Sequence, residues 1–374
     1  MKRFLSMMLI LLCCVPSAFA QGGYCSMKEL AENTPARWTE TYDTPWRTVE
    51  IDVAIEVPQV EKVPILKIDT GNTTVPQDKL TNYEYICFND SRGFHGYTTK
   101  ALDKQFDFTP AQGRKIAGSF GRGQEPNVQP EDVTLSYEDA LLLCYQEMEH
   151  LWGLSASQAG LLEVTVYDGV YALKRKNGEK IWGKRIDKRT GFWGFTFEQL
   201  FHGIPMVSCD NGNAYNDYFF IPSAARPLVN FSIWSDSLYN TSTTLYGERE
   251  IVYEDVPVYS FADAKAAIEG EIMAGHLRYV SEVKFCYIPY LDPTDKNMLW
   301  LLPTWYVEGI YTGNAKKDLQ PVYADDGTLA GYVGGVNDNM VVAFEANRGQ
   351  LIDRKNTSKK RRNVPHVITW DEVK

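Results

Sequence analysis

The chain contains no C-x-x-C, no H-E-x-x-H and no G-x-S-x-G. The first absence argues against a zinc ribbon or a thioredoxin-like redox pair. The other two argue against a zinc protease helix and a hydrolase nucleophile elbow. Its five histidines (His95, His150, His202, His276 and His366) are scattered, so no ligand set for a metal can be read from spacing. Beyond residue 20 there is no long uncharged apolar run, so no membrane-spanning helix is expected. Positive charge is also short: 38 Lys and Arg face 48 Asp and Glu, which argues against general nucleic-acid binding.

What is present begins with an export pattern. Lys2 and Arg3 precede an apolar core from Leu5 to Val15, and Ala18-Phe19-Ala20 forms an A-x-A cleavage site. Residues 1–20 therefore read as a secretory signal. Their loss removes Lys2 and Arg3 and takes the net charge from −10 to −12. It also removes Cys13 and Cys14 and leaves Cys25, Cys87, Cys144, Cys209 and Cys286. Five is an odd number, so at least one thiol stays unpaired within the chain, and the pairing of the rest is open. Cys144 and Cys286 read as small buried hydrophobes. No cysteine follows the small residue that a lipid anchor requires: Cys13 and Cys14 follow large residues and Cys25 follows Tyr24.

Two stretches share one grammar, a capped helix and then strands. Ser260-Phe-Ala-Asp263 is an S-x-x-D capping box, and Phe261, Ala264, Ile268 and Ile272 form one apolar stripe ended by Gly275. Strand-like runs follow at Val283–Tyr290, Leu299–Tyr311, Pro321–Tyr323, Ala330–Val333 and Met340–Glu345. The turn Asn347-Arg348-Gly349 then leads into Leu351-Ile352-Asp353. Earlier, Ser136-Tyr-Glu-Asp139 is again S-x-x-D, with Leu141, Cys144, Tyr145, Met148 and Trp152 as the stripe and Gly153 as the stop. Its strand-like runs are Leu161–Tyr167, Val170–Lys174, Lys180–Ile186, Phe192–Phe197, Tyr218–Ile221 and Val229–Trp234. A lone helix with a striped face has to bury it, and an antiparallel sheet with one apolar side is the partner at hand. Ahead of both units, Thr48–Val57 alternates as a half-buried strand, Val63–Ile68 continues in extended form and Tyr83–Phe88 is another strand. Gly113–Pro130 reads as a linker or long surface loop.

Three patterns invite chemistry and fail on context. Gly118-Ser-Phe-Gly121-Arg-Gly123 lacks the helix with Lys-Ser/Thr that a phosphate loop needs, and Gln124-Glu-Pro126 follows instead. Glu147-Met-Glu-His150 has di-iron spacing, but there is no second E-x-x-H. Asp210–Asp217 is rich in side-chain oxygens yet lacks the order and closing Glu of an EF-hand. No catalytic, cofactor or metal residues are assigned.

One stretch of surface has a distinct character. Around the hairpin signal Asn177-Gly178 stand Lys174, Arg175, Lys176, Lys180, Lys184, Arg185, Lys188 and Arg189, opposed by Glu179 and Asp187. Eight cations on an acidic chain suit an anionic polymer or surface. They equally suit an edge hairpin kept unpaired by lysines, and that is the preferred reading. Arg354–Arg362 is a second basic run, read as solvated.

Thr48–Lys67, Phe192–Pro205, Tyr218–Trp234, Val256–Ala264 and Trp300–Gly309, the last with Leu302-Pro-Thr-Trp305, carry a resemblance. Over roughly residues 45–353 the chain resembles a family of uncharacterised exported proteins and lipoproteins of Gram-positive bacteria. More loosely, its units look like the PepSY- and cystatin-like modules of cell-wall regulators. The resemblance implies an N-terminal strand pair before two helix-plus-sheet units, and it carries no site residues with it.

The expected fold is α+β: two tandem helix-on-antiparallel-sheet, PepSY/cystatin-like units behind a β-rich N-terminal segment. The divisions are a signal at 1–20, the N-terminal segment at 21–134, units at 135–256 and 257–354, and a basic tail at 355–374. The expected function is a non-enzymatic exported cell-envelope protein that binds a protein partner or regulates envelope processes. The alternative is a binder of glycan or anionic wall polymer, and the least favoured is a hydrolase. If the basic hairpin only guards an edge, replacing Lys174, Lys176, Lys184 and Lys188 by Gln leaves fold and envelope binding unchanged at low salt. A steep loss in a co-sedimentation assay would assign the hairpin to an anionic partner instead, since such attraction is screened beyond about 8–10 Å at physiological salt.

Overall fold

The computed structural model describes residues 23–72, 75, 77–80, 83–87, 95–99, 106–107, 116–130, 133–171, 173–174, 189–207, 226–233, 238–311, 320–323, 329–333, 339–352 and 364–373. The fold is α+β and consists mainly of strands.

Short elements open the chain: β1 (Tyr24–Cys25), α1 (Met27–Asn33), β2 (Arg37–Asp43), β3 (Thr48–Glu56) and β4 (Ile65–Asn72). Next come β5 (Tyr83–Cys87), β6 (His95–Thr99), β7 (Phe106–Asp107) and β8 (Ile116–Gly121). Helix α2 (Tyr137–Trp152) is followed by β9 (Ala159–Tyr171), β10 (Leu173–Lys174), β11 (Arg189–Phe201), β12 (Ile204–Pro205), β13 (Leu228–Ile233) and β14 (Leu238–Thr243). A crossover of β15 (Tyr246–Tyr253) and β16 (Val258–Tyr259) leads to α3 (Phe261–Met273). The remainder is β17 (Leu277–Leu291), β18 (Met298–Tyr311), β19 (Gln320–Tyr323), β20 (Leu329–Val333), β21 (Asn339–Glu345) and β22 (Gln350–Ile352).

Two large sheets carry the architecture. The first has the order β5-β6-β14-β13-β11-β9-β8, with β12 beside β11; the second has β15-β4-β18-β17-β3-β2, with β21 beside β18 and β22 beside β21. After each helix four principal strands run as an antiparallel meander, β9-β11-β13-β14 in one case and β17-β18-β21-β22 in the other. The flanks differ: β8 joins β9 antiparallel, whereas β3 joins β17 parallel. Strands of the N-terminal stretch are shared out, with β2, β3 and β4 in the second sheet and β5, β6 and β8 in the first.

Each helix is built as its sequence dictates. Ser136 Oγ accepts the Asp139 N–H at 3.1 Å and Ser260 Oγ accepts that of Asp263 at 3.3 Å, so both caps form. Gly153 and Gly275 take φ of +66° and +74°, the left-handed turn that ends a helix. On α3 the stripe Phe261, Ala264, Ile268 and Ile272 is wholly buried. On α2 the buried line is instead Ala140, Cys144, Met148 and Leu151, while Leu141, Tyr145 and Trp152 pack partly buried at its margin. The buried line follows the i, i+4, i+8 and i+11 spacing from Ala140, one position before Leu141. Cys144 and Cys286 are buried free thiols.

Strand β3 alternates as its sequence requires, with Val49, Ile51, Val53 and Ile55 buried. Part of the stretch read as a linker is in fact β8, an edge strand on β9. An edge needs pairing on one side only, and the Phe120 ring lies over Gly118, where a Cβ would meet it at 2.7 Å. Two further elements precede β3: α1, capped by Ser26 and Glu29, and β2, whose burial alternates only weakly around Trp38.

The longest pairing, β17 with β18, sets the core of the second sheet. Pro303 sits where the outer edge of β18 passes from β4, paired to Met298–Leu301, to β21, paired to Thr304–Ile310. Its missing N–H therefore falls where no ladder bond is needed. The hairpin turns at Asp292, whose Oδ1 accepts the Thr294 N–H at 2.8 Å; Oδ2 accepts the Trp300 indole at 3.0 Å and meets Lys67 at 3.2 Å. Burial raises the Asp292 carboxyl, but these hydrogen bonds outweigh it and hold the group well below the ordinary carboxylate range. Trp305 is completely buried, edge-on to Phe261 and Phe285, and donates to the Tyr259 carbonyl at 3.1 Å.

Trp305→Ala is expected to cost about 3–5 kcal/mol through the cavity it leaves, read from urea unfolding. Asp292 gives a pH signature. A carboxyl depressed in the folded state adds stability above its unfolded value near ~4 and loses it as the pH falls. Unfolding midpoints of the wild type and Asp292→Asn should therefore differ at neutral pH and converge between about pH 5 and pH 2. Parallel curves would dissociate Asp292 from acid stability.

Candidate functional site

The crossover from β15 to α3 reads Asp255-Val-Pro-Val-Tyr259 and cannot pair along its whole length as a strand, because Pro257 has no N–H. Its polar groups find partners one by one. Asp255 Oδ1 accepts the Val63 N–H and the Val256 N–H donates to the Val63 carbonyl, each at 3.0 Å. Val258 and Tyr259 pair with Cys25 and Tyr24 of β1. The Tyr259 N–H donates to the Ala346 carbonyl at 2.7 Å.

Two side chains of this hub hold the carboxyl-terminal segment. Asn347, only 2% exposed, lies in the turn between β21 and β22. Its Nδ2 donates to the carbonyls of Pro257 at 2.8 Å and Ile368 at 2.9 Å, and its Oδ1 accepts the Ile368 N–H at 2.9 Å. One amide thus reads both backbone groups of one residue, as a neighbouring strand would. Val367 enters the core of the second sheet at 5% exposure. The Trp370 indole donates to Asp255 Oδ2 at 3.0 Å, so Asp255 is shared between Val63 and Trp370. A helical turn at Trp370–Val373 ends the segment, with the Glu372 N–H donating to the Thr369 carbonyl at 3.1 Å.

The neighbouring wall is aromatic. Tyr24 and Tyr259 lie 4.5 Å apart between ring centres, and a Cβ at Gly349 would meet the Tyr259 ring at 2.4 Å. Burial, the Tyr259 hydroxyl and the nearby Glu372 push the Tyr24 hydroxyl up to about 12. Burial likewise pushes the Cys25 thiol up to about 11, with Glu29 and Asp263 adding to it; the thiol donates to the Val258 carbonyl at 3.3 Å. A thiol in that state is a packing group at neutral pH. The arrangement holds residues 367–370 of the chain itself by a backbone-pairing amide, a hole filled by Val367 and a carboxylate acceptor for the Trp370 indole.

Two cavities compete for attention. One, of about 600 Å³, lies between the end of α2 and β15 and is lined by Trp152, His202 and Glu248 among others. The other, of about 720 Å³, lies between α1, β2 and α3. Their polar linings are already engaged. His202 meets Glu248 at 3.1 Å, and Gln199 pairs with both backbone groups of Tyr246 at 2.9 and 3.0 Å. In the second cavity Lys265 bonds to Glu40 and lies 3.5 Å from Glu269, while the Tyr42 hydroxyl bonds to both carboxylates. Among the described residues there is no group of three or more His, Cys, Asp or Glu placed to hold a metal ion. Glu147 and His150 both lie on α2, with His150 exposed.

Of the basic hairpin, Lys174 closes β10 opposite Phe106 and Arg189 opens β11 opposite Tyr171. Arg175, Lys176, Lys180, Lys184, Arg185 and Lys188 lie outside the described residues, as do the signal segment, Asp210–Asp217 and Arg354–Arg362. The seat was not anticipated. Asn347 was placed in its turn, but nothing local marks it as a reader of backbone. Thr369-Trp-Asp-Glu372 is a T-x-x-E pattern, the local signal of a helix start.

No protein-family model matches the chain, and no curated protein matches it. Among solved structures it is similar to the 1.45 Å crystal structure of an uncharacterized protein from Eubacterium rectale ATCC 33656. The TM-score is 0.50 at 13% identity, over 85% of this chain and 93% of that one. At that identity the likeness concerns the fold alone. No helix of the described residues is long and apolar enough to cross a membrane.

Asn347→Ala removes a buried amide that makes three hydrogen bonds. Hydrogen exchange at Ile368 is expected to accelerate about 10- to 100-fold, given about 1 kcal/mol for each bond lost. The β17–β18 amides should keep their protection. An unchanged rate at Ile368 would show that Val367 and Trp370 alone hold the segment.

Proposed function

We propose that this is an exported cell-envelope protein that acts by binding a protein partner, not by catalysis. The observation that carries the reading is the seat at Asn347. It holds an extended stretch of polypeptide through its backbone, with one aliphatic and one indole anchor. Peptide recognition by backbone pairing takes affinity from main-chain bonds and selectivity from pockets for particular side chains.

Other features support the same reading. The export pattern of residues 1–20 suits an envelope location, as does the resemblance to exported Gram-positive proteins. The helix-then-meander order after α2 and after α3 agrees with tandem PepSY- or cystatin-like modules. The polar linings of both cavities being engaged in internal pairs argues for structural rather than catalytic roles. The glycan reading has less support. Among the described residues Trp38, Trp193, Trp300 and Trp305 are buried, and Trp46, at 42% exposure, is the one tryptophan among the exposed large hydrophobics.

The test is a pull-down from envelope extract with the mature chain, with purified wall polymer run alongside. Trp370→Ala, which loosens the resident segment, should capture more of the partner protein than the wild type. A synthetic peptide of residues 364–374 should compete it away. Retention of wall polymer alone would move the assignment to the polymer-binding alternative, and capture indifferent to the peptide would remove the seat from the reading.

A further inference from the structure

The cleft between the end of α2 and β15 has a conformational outlier at its rim. His202 takes φ of +52° and is the one residue other than glycine with positive φ among the described residues. With Gly203, at +81°, it forms the two-residue turn between Phe201 of β11 and Ile204 of β12. A turn with positive φ at both positions favours Asn-Gly. Histidine there gives up local stability, and strain of this kind gathers at ligand sites. We propose that the cleft binds a short neutral saccharide, with His202, Glu248, Gln158 and Trp152 as its contacts. It shares no residue with the seat at Asn347 and stands independently of that reading.

Neighbours place each polar group. Gly203 packs against Val60, where a Cβ would meet the valine at 2.6 Å, and this anchors the turn. His202 and Glu248 pair through Nε2 and Oε2 alone, at 3.1 Å. A carboxylate only accepts, so Nε2 carries the hydrogen and Nδ1 of the neutral ring is an acceptor. Gln158 caps the helical turn Ala156–Gln158: its Oε1 accepts the Ser155 N–H at 3.1 Å and the Ser155 hydroxyl at 2.9 Å. That fixes the amide. Its NH2, the Trp152 indole N–H, His202 Nδ1 and Glu248 Oε1 make no hydrogen bond among the described residues. Trp152 is half-buried, its ring 6.3 Å from that of Phe231, and Leu154 and Leu245 extend the apolar lining. The cleft, of about 600 Å³, therefore offers donors, acceptors and an indole together, within the range of about 300–1,000 Å³ usual for small-molecule sites. Sugar hydroxyls donate and accept at once and satisfy both kinds of group, while the C–H face of a pyranose covers an indole. An anion would be repelled by Glu248, and a simple amine would leave both donors unpaired. This is a cleft for a short saccharide, not the open tryptophan platform along which a wall polymer would lie.

The isotope-labelled full chain is titrated with the neutral disaccharides cellobiose, maltose, lactose and chitobiose. The Trp152 indole resonance, assigned through Trp152→Phe, is followed by NMR, and a saturable shift is expected with a dissociation constant of about a millimolar. His202→Asn suits the turn better, so its thermal midpoint should hold or rise while binding weakens about 10-fold, read by saturation-transfer difference on the sugar. A histidine serving only the turn would leave binding unchanged. Trp152→Phe keeps the packing on Phe231 and should also weaken binding about 10-fold by the same readout. Where a disaccharide binds, pelleting with insoluble cellulose or chitin assigns the ligand to glycan chains, and its absence assigns it to free saccharides. The proposal is overturned if no disaccharide gives a saturable shift with the folded wild type. Undiminished binding by both His202→Asn and Trp152→Phe, or a response to glucuronate or inorganic phosphate alone, overturns it equally.

Discussion

Backbone polar groups that leave a sheet have to be satisfied somewhere, and in this molecule that constraint falls on the five residues from Asp255 to Tyr259. They cross between the meander that follows α2 and helix α3. Each bond they donate or accept recruits a distant part of the chain: Val63 before β4, Tyr24 and Cys25 of β1, Ala346 and Asn347 beside β21, and Trp305 from the centre of β18. An unpaired buried amide costs about 1–3 kcal/mol, so a crossover with no partners would be too expensive to keep inside. That the crossover lies largely buried explains why segments so distant in sequence gather on it.

A second junction complements the first. Residues 198–207 leave the first sheet through the tight turn His202-Gly203, where both residues have positive φ, and carry Phe201, Ile204 and Met206 into the core of the second. Met206 bridges to Tyr287, the Val207 N–H donates to the Tyr287 carbonyl at 3.0 Å, and the Tyr287 hydroxyl donates to the Pro64 carbonyl at 2.6 Å. At the root of this excursion the completely buried Glu198 is held by Arg122 and Arg226, and Arg122 also reaches Glu56 of β3 at 2.6 Å. A buried carboxylate stripped of its guanidinium partners is strongly destabilising, so this seam fixes how the sheets meet more than it adds net stability.

Local physics was legible in the sequence and long-range sharing was not. The alternation of Val49 to Ile55, the stripe Phe261 to Ile272, both S-x-x-D caps and both glycine stops are local patterns, and each has its structural counterpart. The fully buried run Leu299–Val307 reads as a central strand because both faces are apolar. What local pattern cannot convey is which sheet a strand joins. Strand β3 has one buried face whether it stands in a segment of its own or lies parallel to β17, and only the fold reveals the latter. For the same reason the seat was invisible: Asn347 and Ile368 are separated in sequence by a basic run that draws the eye to charge.

The contrast between charge and backbone recognition bears on what the molecule can select. Most of its described buried charges meet opposite charges nearby: Glu198 with Arg122 and Arg226, Lys284 with Glu282, Glu345 with Arg348, and Asp292 with Lys67. Neutralised groups of this kind exert little field on an approaching ligand, and surface pairs less still once screened. The seat works differently. In the proposed reading Asn347, which carries no charge, pairs with the donor and acceptor every peptide unit possesses and leaves discrimination to one aliphatic hole and one acceptor for an indole. Recognition built that way should be insensitive to ionic strength and demanding about sequence at two positions, Val367 and Trp370. It is the opposite profile to that of a basic arm on an anionic polymer, so salt dependence alone separates the two modes of binding.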